Sequence, residues 1–250
     1  MEKNNKKIGI LGYGEVGQAI AKFYKNPKIK DLSRDDGLEG TEVLNICIPW
    51  NYNFSDTVKK EIKQTKPGLV IIHSTVAPGT TKKIRSFFKD RIRIVHSPIR
   101  GVHPHLYKGI KTFVKYIGAE DKESGNKAKK HLEGLGIKTK IFFPSLTTEL
   151  GKLFSTTYYG LCIAYHGEMK KICRQEKVSF GEAVTDFNLT YNEGYAKLGK
   201  KNVIRPVLYP PEEEIAGHCI IPNVEILKKN FKSGAFDLIL KYKPSKKNKK

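Results

Sequence analysis

The chain lacks any apolar run approaching the roughly 20 residues of a membrane-spanning helix. Its amino terminus, Met1-Glu-Lys-Asn-Asn-Lys-Lys7, carries charge without the apolar stretch that a signal peptide needs. Cysteine is sparse. Cys47, Cys162, Cys173 and Cys219 form no CxxC pair and no zinc-ligand spacing, so no metal is expected. Together these absences predict a reduced, cytoplasmic protein with no membrane partner. Acidic residues are also short, 25 against 46 Lys and Arg, for a net charge of +21. That excess raises the question of a nucleic-acid partner. The basic residues, however, are spread along the chain and mixed with Asp and Glu, and their densest run, 241–250, holds only six of the 46. No nucleic-acid-binding motif is present, so the charge is expected to aid solubility and to attract anionic cofactors and substrates.

What is present begins at once. Lys7-Ile-Gly-Ile-Leu11 is a short apolar run, Gly12-Tyr13-Gly14-Glu15-Val16-Gly17 follows it, and a helical pattern starts immediately after. This order is the strand, tight turn and helix of a dinucleotide-binding βαβ unit. In such a unit Gly12 permits the turn, Gly14 lets a pyrophosphate approach the backbone, and Gly17 allows close helix–strand packing. Asp31 lies about 20 residues beyond the first glycine, where a carboxylate meets the ribose hydroxyls of NAD. It would repel a 2′-phosphate, although Lys30 and Arg34 lie close by and keep NADP open.

Strand and helix patterns then alternate as far as residue 143. Strands are expected at 43–48, 69–73, 92–96, 112–117 and 138–143, with helices at 54–62, at 122–135, and between them one that Thr80 and Thr81 can cap and that runs to 88. The alternation predicts an α/β fold with a doubly wound, mostly parallel Rossmann-type sheet over residues 1–144. Ligands then gather at the carboxyl ends of the strands, which here carry Gly12–Gly14, Pro49, Ser74, Thr75 and Arg100. From 147 to 175 apolar residues recur at steps of three and four, as in one long amphipathic helix. A smaller all-helical substrate and dimerisation domain is expected over 145–240, with a second helix at 179–198, helix resuming near Asn223, and a basic disordered tail at 241–250.

Two features of the second half could carry chemistry. Lys152 and Thr156 lie one turn apart on the long helix beside its apolar face, and a partly desolvated lysine there suits proton transfer or oxyanion stabilisation. Taken alone, it reads more readily as an ordinary surface lysine with a buried stem. Cys219, in Ala216-Gly217-His218-Cys219, precedes a helix, an arrangement that suits a nucleophile. The other three cysteines read as core.

In order, Gly12–Gly17, Ile46-Cys-Ile-Pro49, His73-Ser-Thr-Val-Ala-Pro-Gly-Thr80, Glu149-Leu-Gly-Lys152, Glu168-Met-Lys-Lys-Ile-Cys173 and Gly217-His-Cys219 resemble the UDP-glucose/GDP-mannose dehydrogenase family, with Gly-His-Cys similar to its N-acetylmannosamine-type branch. The resemblance covers roughly residues 6 to 225. It implies two successive NAD-linked oxidations of a sugar primary alcohol to a carboxylate. A cysteine holds the intermediate as a thiohemiacetal and then a thioester, and a helix lysine assists. By this match Cys219 takes the nucleophile's place, Lys152 the lysine's, and Thr75 that of a cofactor-contacting threonine. The central helix implies a homodimer.

The departures are specific. Thr156 stands where the family has Asn, and Asn223 where it has Asp, so thioester hydrolysis lacks its base. Ser97-Pro98-Ile99-Arg100 replaces a glutamate-bearing motif, which leaves Arg100, His103 and His218 as candidate substrate contacts. The family's nucleotide-sugar domain has no counterpart after Asn223. The expected substrate is therefore a small anionic or sugar molecule, unless a partner holds a nucleotide. Two other readings remain open: a single-hydride dehydrogenase similar to the 6-phosphogluconate and β-hydroxyacid enzymes, and a non-catalytic dinucleotide-binding protein.

Overall fold

The computed structural model describes residues 7–89, 91–200, 202–216 and 219–245. These fall into two compact units, 1–152 and 153–250. The division lies inside the long helix, whereas the expected boundary at Pro144–Ser145 lies just before it.

In the first unit the strands are β1 (Ile8–Leu11), β2 (Lys28–Asp31), β3 (Arg34–Asp35), β4 (Val43–Ile46), β5 (Leu69–Ile72), β6 (Arg93–His96), β7 (Lys115–Gly118) and β8 (Thr139–Phe142). They form one sheet in the order β3-β2-β1-β4-β5-β6-β7-β8. Pairing is parallel except at β2–β3 and β6–β7. β1, β4 and β5 are buried along their whole length, which is why their sequences read as apolar runs, interrupted in β4 by Asn45. Alternate residues serve the two faces. Ile10, Leu69, Ile71 and Val95 pack on one face with α1 (Glu15–Ala21), α4 (Leu106–Thr112) and α5 (Lys122–Glu133). Leu44, Ile46, Val70, Ile72 and Ile94 pack on the other with α2 (Phe54–Thr65) and α3 (Thr80–Phe87). Strand order reverses between β2 and β4 on either side of β1, so the crevice for a ligand opens at the carboxyl end of β1.

Three expectations are corrected here. The strand expected from 112 begins at Lys115, because Leu106 and Ile110 bury one face of a helix that runs through Thr112. The hairpin strand β3 was not foreseen. Thr80 and Thr81 do not cap α3: its N-cap is Gly79 at φ 85°, and no side chain of its own caps it.

The second unit takes the later part of α6 (Leu146–Gln175), a π-helical segment Gly181–Asp186, α7 (Phe187–Lys197), α8 (Ile220–Lys228) and α9 (Gly234–Leu240). Its core is Ala164, Ile215, Ile220, Ile221, Val224, Ile239 and Tyr242. α8 starts three residues before the expected Asn223, since Ile220 and Ile221 are both core. The expected tail at 241–250 begins inside the fold. Tyr242 is buried, donates to Glu168 at 2.7 Å and accepts Ile215 N–H at 2.8 Å through its carbonyl. Among the described residues no helix is long and apolar enough to cross a membrane.

Candidate active site

The glycine turn has three different spatial reasons for its three glycines. Gly12 sits at φ 95°, in the left-handed region, and a Cβ there would lie 2.7 Å from Ile48 N. A Cβ on Gly17 would lie 2.0 Å from Gly12 O, so the helix can approach the strand only without one. At Gly14 a Cβ would meet nothing within 4 Å. Its missing side chain therefore opens a cradle rather than relieving a clash. Gly14 is also the N-cap of α1 and supplies no side-chain cap. These residues fit a dinucleotide pyrophosphate: the space beside Gly14 is open at the start of α1, where no side chain caps the helix.

Around this turn, Asp31 Oδ2 accepts Tyr13 N–H at 2.5 Å and Oδ1 accepts Leu32 N–H at 2.7 Å, so the carboxylate is fixed beside the turn. Val16 packs against the core, while Glu15 is exposed and paired with His103. Pro49 is exposed just beyond β4. Ser74, just beyond β5, is buried and donates to Ile48 O at 2.6 Å, which ties the neighbouring strand ends together. Thr75 is half-buried next to it. The first unit thus brings Gly12–Gly17, Asp31, Pro49, Ser74 and Thr75 to the carboxyl end of β1, β2, β4 and β5. Arg100 turns elsewhere: it donates to Val114 O at 3.2 Å and lies 4.6 Å from the Tyr116 ring centroid.

Beneath these strand ends lies a buried polar network that the sequence reading missed. His73 is within hydrogen-bond distance of Asn45 (2.9 Å) and of Ser97 O (3.0 Å). His96 contacts Thr148 Oγ1 (2.8 Å) and Ser74 O (3.1 Å). Lys115 Nζ donates to Ser97 O at 2.8 Å and Pro98 O at 3.3 Å. Desolvation holds both imidazoles neutral, with His96 pushed down to about 3, and brings the Lys115 ammonium down to about 7. It raises the Cys47 thiol to about 12, which makes that cysteine an inert core residue. The signal available in sequence was Asn45, His73 and His96 standing inside or at the end of otherwise apolar strands.

On α6, Lys152 is half-buried and follows the buried Glu149 by one turn. Thr156 is half-buried one turn further on, in the second unit. In that unit Cys219 is exposed at the N-cap of α8, and its carbonyl accepts Asn223 N–H at 3.2 Å. Asn223 is buried. Ile220 lies so close to α6 that a Cβ on Gly160 would sit 2.4 Å from it. Lys152 and Cys219 belong to different units. His218 lies outside the described residues. Among the described residues no cluster of three or more His, Cys, Asp or Glu could hold a metal ion.

No protein-family model matches the chain. Among curated proteins it is 29% identical over 219 residues to the UDP-N-acetyl-D-mannosamine dehydrogenase of Methanococcus maripaludis, covering 87% of this chain and 45% of that protein. Among solved structures it is similar to the UDP-D-ManNAc dehydrogenase of Pyrococcus horikoshii, with a TM-score of 0.77, 20% identity, and coverage of 94% of this chain and 68% of that one. A 3-hydroxyisobutyrate dehydrogenase of Mycobacterium tuberculosis shares the fold at a TM-score of 0.69 and 12% identity, over 94% of this chain and 91% of that one. The chain spans about half the length of the curated relatives it matches. Motif order and these alignments together make the chain a homologue of the UDP-N-acetyl-D-mannosamine dehydrogenases.

Proposed function

We propose that this chain is an NAD-dependent dehydrogenase that oxidises an alcohol carbon of a sugar or sugar derivative. The open cradle at Gly14, with Asp31 fixed beside it, is the observation that carries the cofactor reading. A bound nicotinamide supplies a hydride acceptor. The chain's residues do the rest. Gly12–Gly17 seat the pyrophosphate, Asp31 takes the ribose hydroxyls, and Pro49, Ser74 and Thr75 line the path between them. Lys152 takes up or returns the hydroxyl proton and holds the developing oxyanion.

In the two-step course Cys219 Sγ adds to the aldehyde carbon, and its proton passes to the carbonyl oxygen. Loss of a second hydride gives a thioester, which water cleaves to free the thiol. The balance is alcohol, two NAD⁺ and water to carboxylate, two NADH and three protons. Thr156 and Asn223 flank this chemistry, and an amide at 223 cannot draw a proton from the attacking water. That observation favours a second reading, in which one hydride is transferred and the product leaves as a carbonyl compound.

His103 and His218 are assigned to the substrate side, with the strong positive charge drawing in an anionic group; Arg100, held on Val114 O and the Tyr116 ring, is left out of that assignment. The protein is further proposed to act in the cytoplasm, where its four free thiols stay reduced. A homodimer through α6 is proposed because Phe154, Tyr158, Tyr165 and Ile172 are all more than half exposed on that helix. Light scattering at micromolar concentration checks it, and a monomer overturns it. Calorimetry with NAD and NADH tests the cofactor reading directly. Two NADH per substrate consumed supports the covalent course; one supports the single-hydride course.

A further inference from the structure

The two cations that flank Asp31 are both tied up, and the ties are specific. β2 and β3 form a hairpin in which Asp31 is the register partner of Arg34, and Lys30 that of Asp35. Arg34 therefore stands beside the carboxylate that would meet the ribose. Its guanidinium is engaged with Asp36 in a two-point contact, Nε to Oδ1 at 2.9 Å and Nη2 to Oδ2 at 2.7 Å. Asp36 is itself anchored, since its Oδ2 also accepts Ile29 N–H from β2 at 2.9 Å. The same guanidinium lies 5.7 Å from the centroid of the Tyr13 ring, whose backbone N–H holds Asp31. Lys30 pairs with the buried Glu61 at 3.0 Å and with Asp35 at 3.6 Å. An open cleft of about 640 Å³ runs along this edge, and Tyr13, Gln18, Lys22, Arg34 and Asp36 are among its walls.

From this arrangement we infer that Asp36 is a specificity determinant that favours NAD over NADP by occupying the donor fork of Arg34. The inference rests on the dinucleotide reading and deepens it. A guanidinium fork is the side-chain group best matched to a phosphate, through two parallel N–H···O bonds. Placed opposite Asp31, a free Arg34 would be the natural partner of a 2′-phosphate. With the Nε–Nη2 edge of Arg34 on Asp36, an arriving 2′-phosphate meets the carboxylates of Asp31, Asp35 and Asp36 and finds that edge of the guanidinium already taken. A ribose 2′-hydroxyl carries no charge and needs only an acceptor, which Asp31 offers through its remaining lone pairs. Discrimination thus comes from a repulsive element as well as an attractive one.

The test is Asp36→Asn, read as the ratio of NADP to NAD dissociation constants by calorimetry. The amide oxygen can still accept Ile29 N–H, while the neutral side chain no longer holds the guanidinium by charge, so the hairpin keeps its backbone tie. The wild type is expected to favour NAD by about tenfold or more, and the variant to bind NADP about tenfold better relative to NAD, the worth of one freed charge-assisted contact. Arg34→Ala on top of Asp36→Asn should cancel the gain. A ratio unchanged in Asp36→Asn, with NAD still bound, overturns the role of Asp36 and leaves the dinucleotide reading intact. A gain that survives removal of Arg34 overturns it equally. Failure of the wild type to bind either dinucleotide overturns both.

Discussion

The Glu149 carboxylate, on the first turn of α6, accepts the Thr81 backbone N–H at 2.8 Å. Its other oxygen accepts Gly79 N–H at 2.6 Å. Helix α3 begins on a glycine with no cap of its own, so a side chain far along the chain supplies the missing acceptors. The same contact fixes the start of the helix that carries Lys152 to the loop that carries Ser74 and Thr75.

Glu149→Gln is expected to destabilise the first unit. One of the two acceptors becomes an NH₂ donor facing a backbone donor in a site with no solvent access. Leaving such a pair unsatisfied costs about 1–3 kcal/mol. Urea unfolding followed by circular dichroism measures it. A loss below a few tenths of a kcal/mol means that the loop relaxes and the tie is not needed.

Gly14 and Gly17 should separate binding from folding. Gly14→Val puts its side chain into open space, so the melting temperature should change little while NAD affinity falls at least tenfold. Gly17→Ala places a Cβ 2.0 Å from Gly12 O. Overpacking of this kind costs about 1–3 kcal/mol or more, so the variant should melt lower with or without cofactor. Equal effects of both substitutions on stability would contradict the assignment of Gly14 as a cradle.

Lys115 gives a pH signature. Its buried ammonium is lowered from the ordinary 10.5 to about 7. Between those values the unfolded chain binds more protons than the folded one, so stability rises with pH across that window. The slope from this group is about 1.4 kcal/mol per pH unit at most. Lys115→Met removes it. The stability difference between wild type and variant, measured at pH 7 to 9, should therefore move in favour of the wild type as pH rises. A flat difference would mean that the lysine is hydrated in the folded state.

The first unit was largely legible in sequence because its signals are local. Short apolar stretches at 8–11, 43–46 and 69–72, bounded by turn residues and alternating with helical patterns, read as central parallel strands, and the glycine spacing names the turn. What escaped was non-local or weakly patterned. α4 contains a glycine and has only two buried large side chains, Leu106 and Ile110. β3 is two exposed residues paired only with β2. The Glu149 cap joins residues 68 apart, and the Arg34–Asp36 lock depends on a hairpin that no periodicity announces. In the second unit the long helix was clear from its repeat, but its apolar residues divide between core (Leu153, Ala164) and surface (Phe154, Tyr158, Tyr165), which a stripe alone does not separate. Tyr242 was lost to its surroundings, a lysine-rich run that reads as tail.

The covalent course is decided at Cys219. The thiol is exposed at the head of α8, so it is open to substrate and to reagents. Cys219→Ser should stop the reaction after the first oxidation, leaving one NADH per substrate or a trapped adduct, because an alkoxide forms far less readily than a thiolate. NAD affinity should survive, since every residue assigned to the dinucleotide lies in the first unit. Lys152→Ala should slow both oxidations by about 10²–10⁴, the usual worth of a positioned acid–base group. Wild type and Cys219→Ser should then differ in NADH yield, whereas Lys152→Ala changes rate without changing yield. If Cys219→Ser keeps full activity at an unchanged yield of one NADH, the thiol is a bystander and the single-hydride course replaces the covalent one. The buried amide of Asn223 would then need no compensating base.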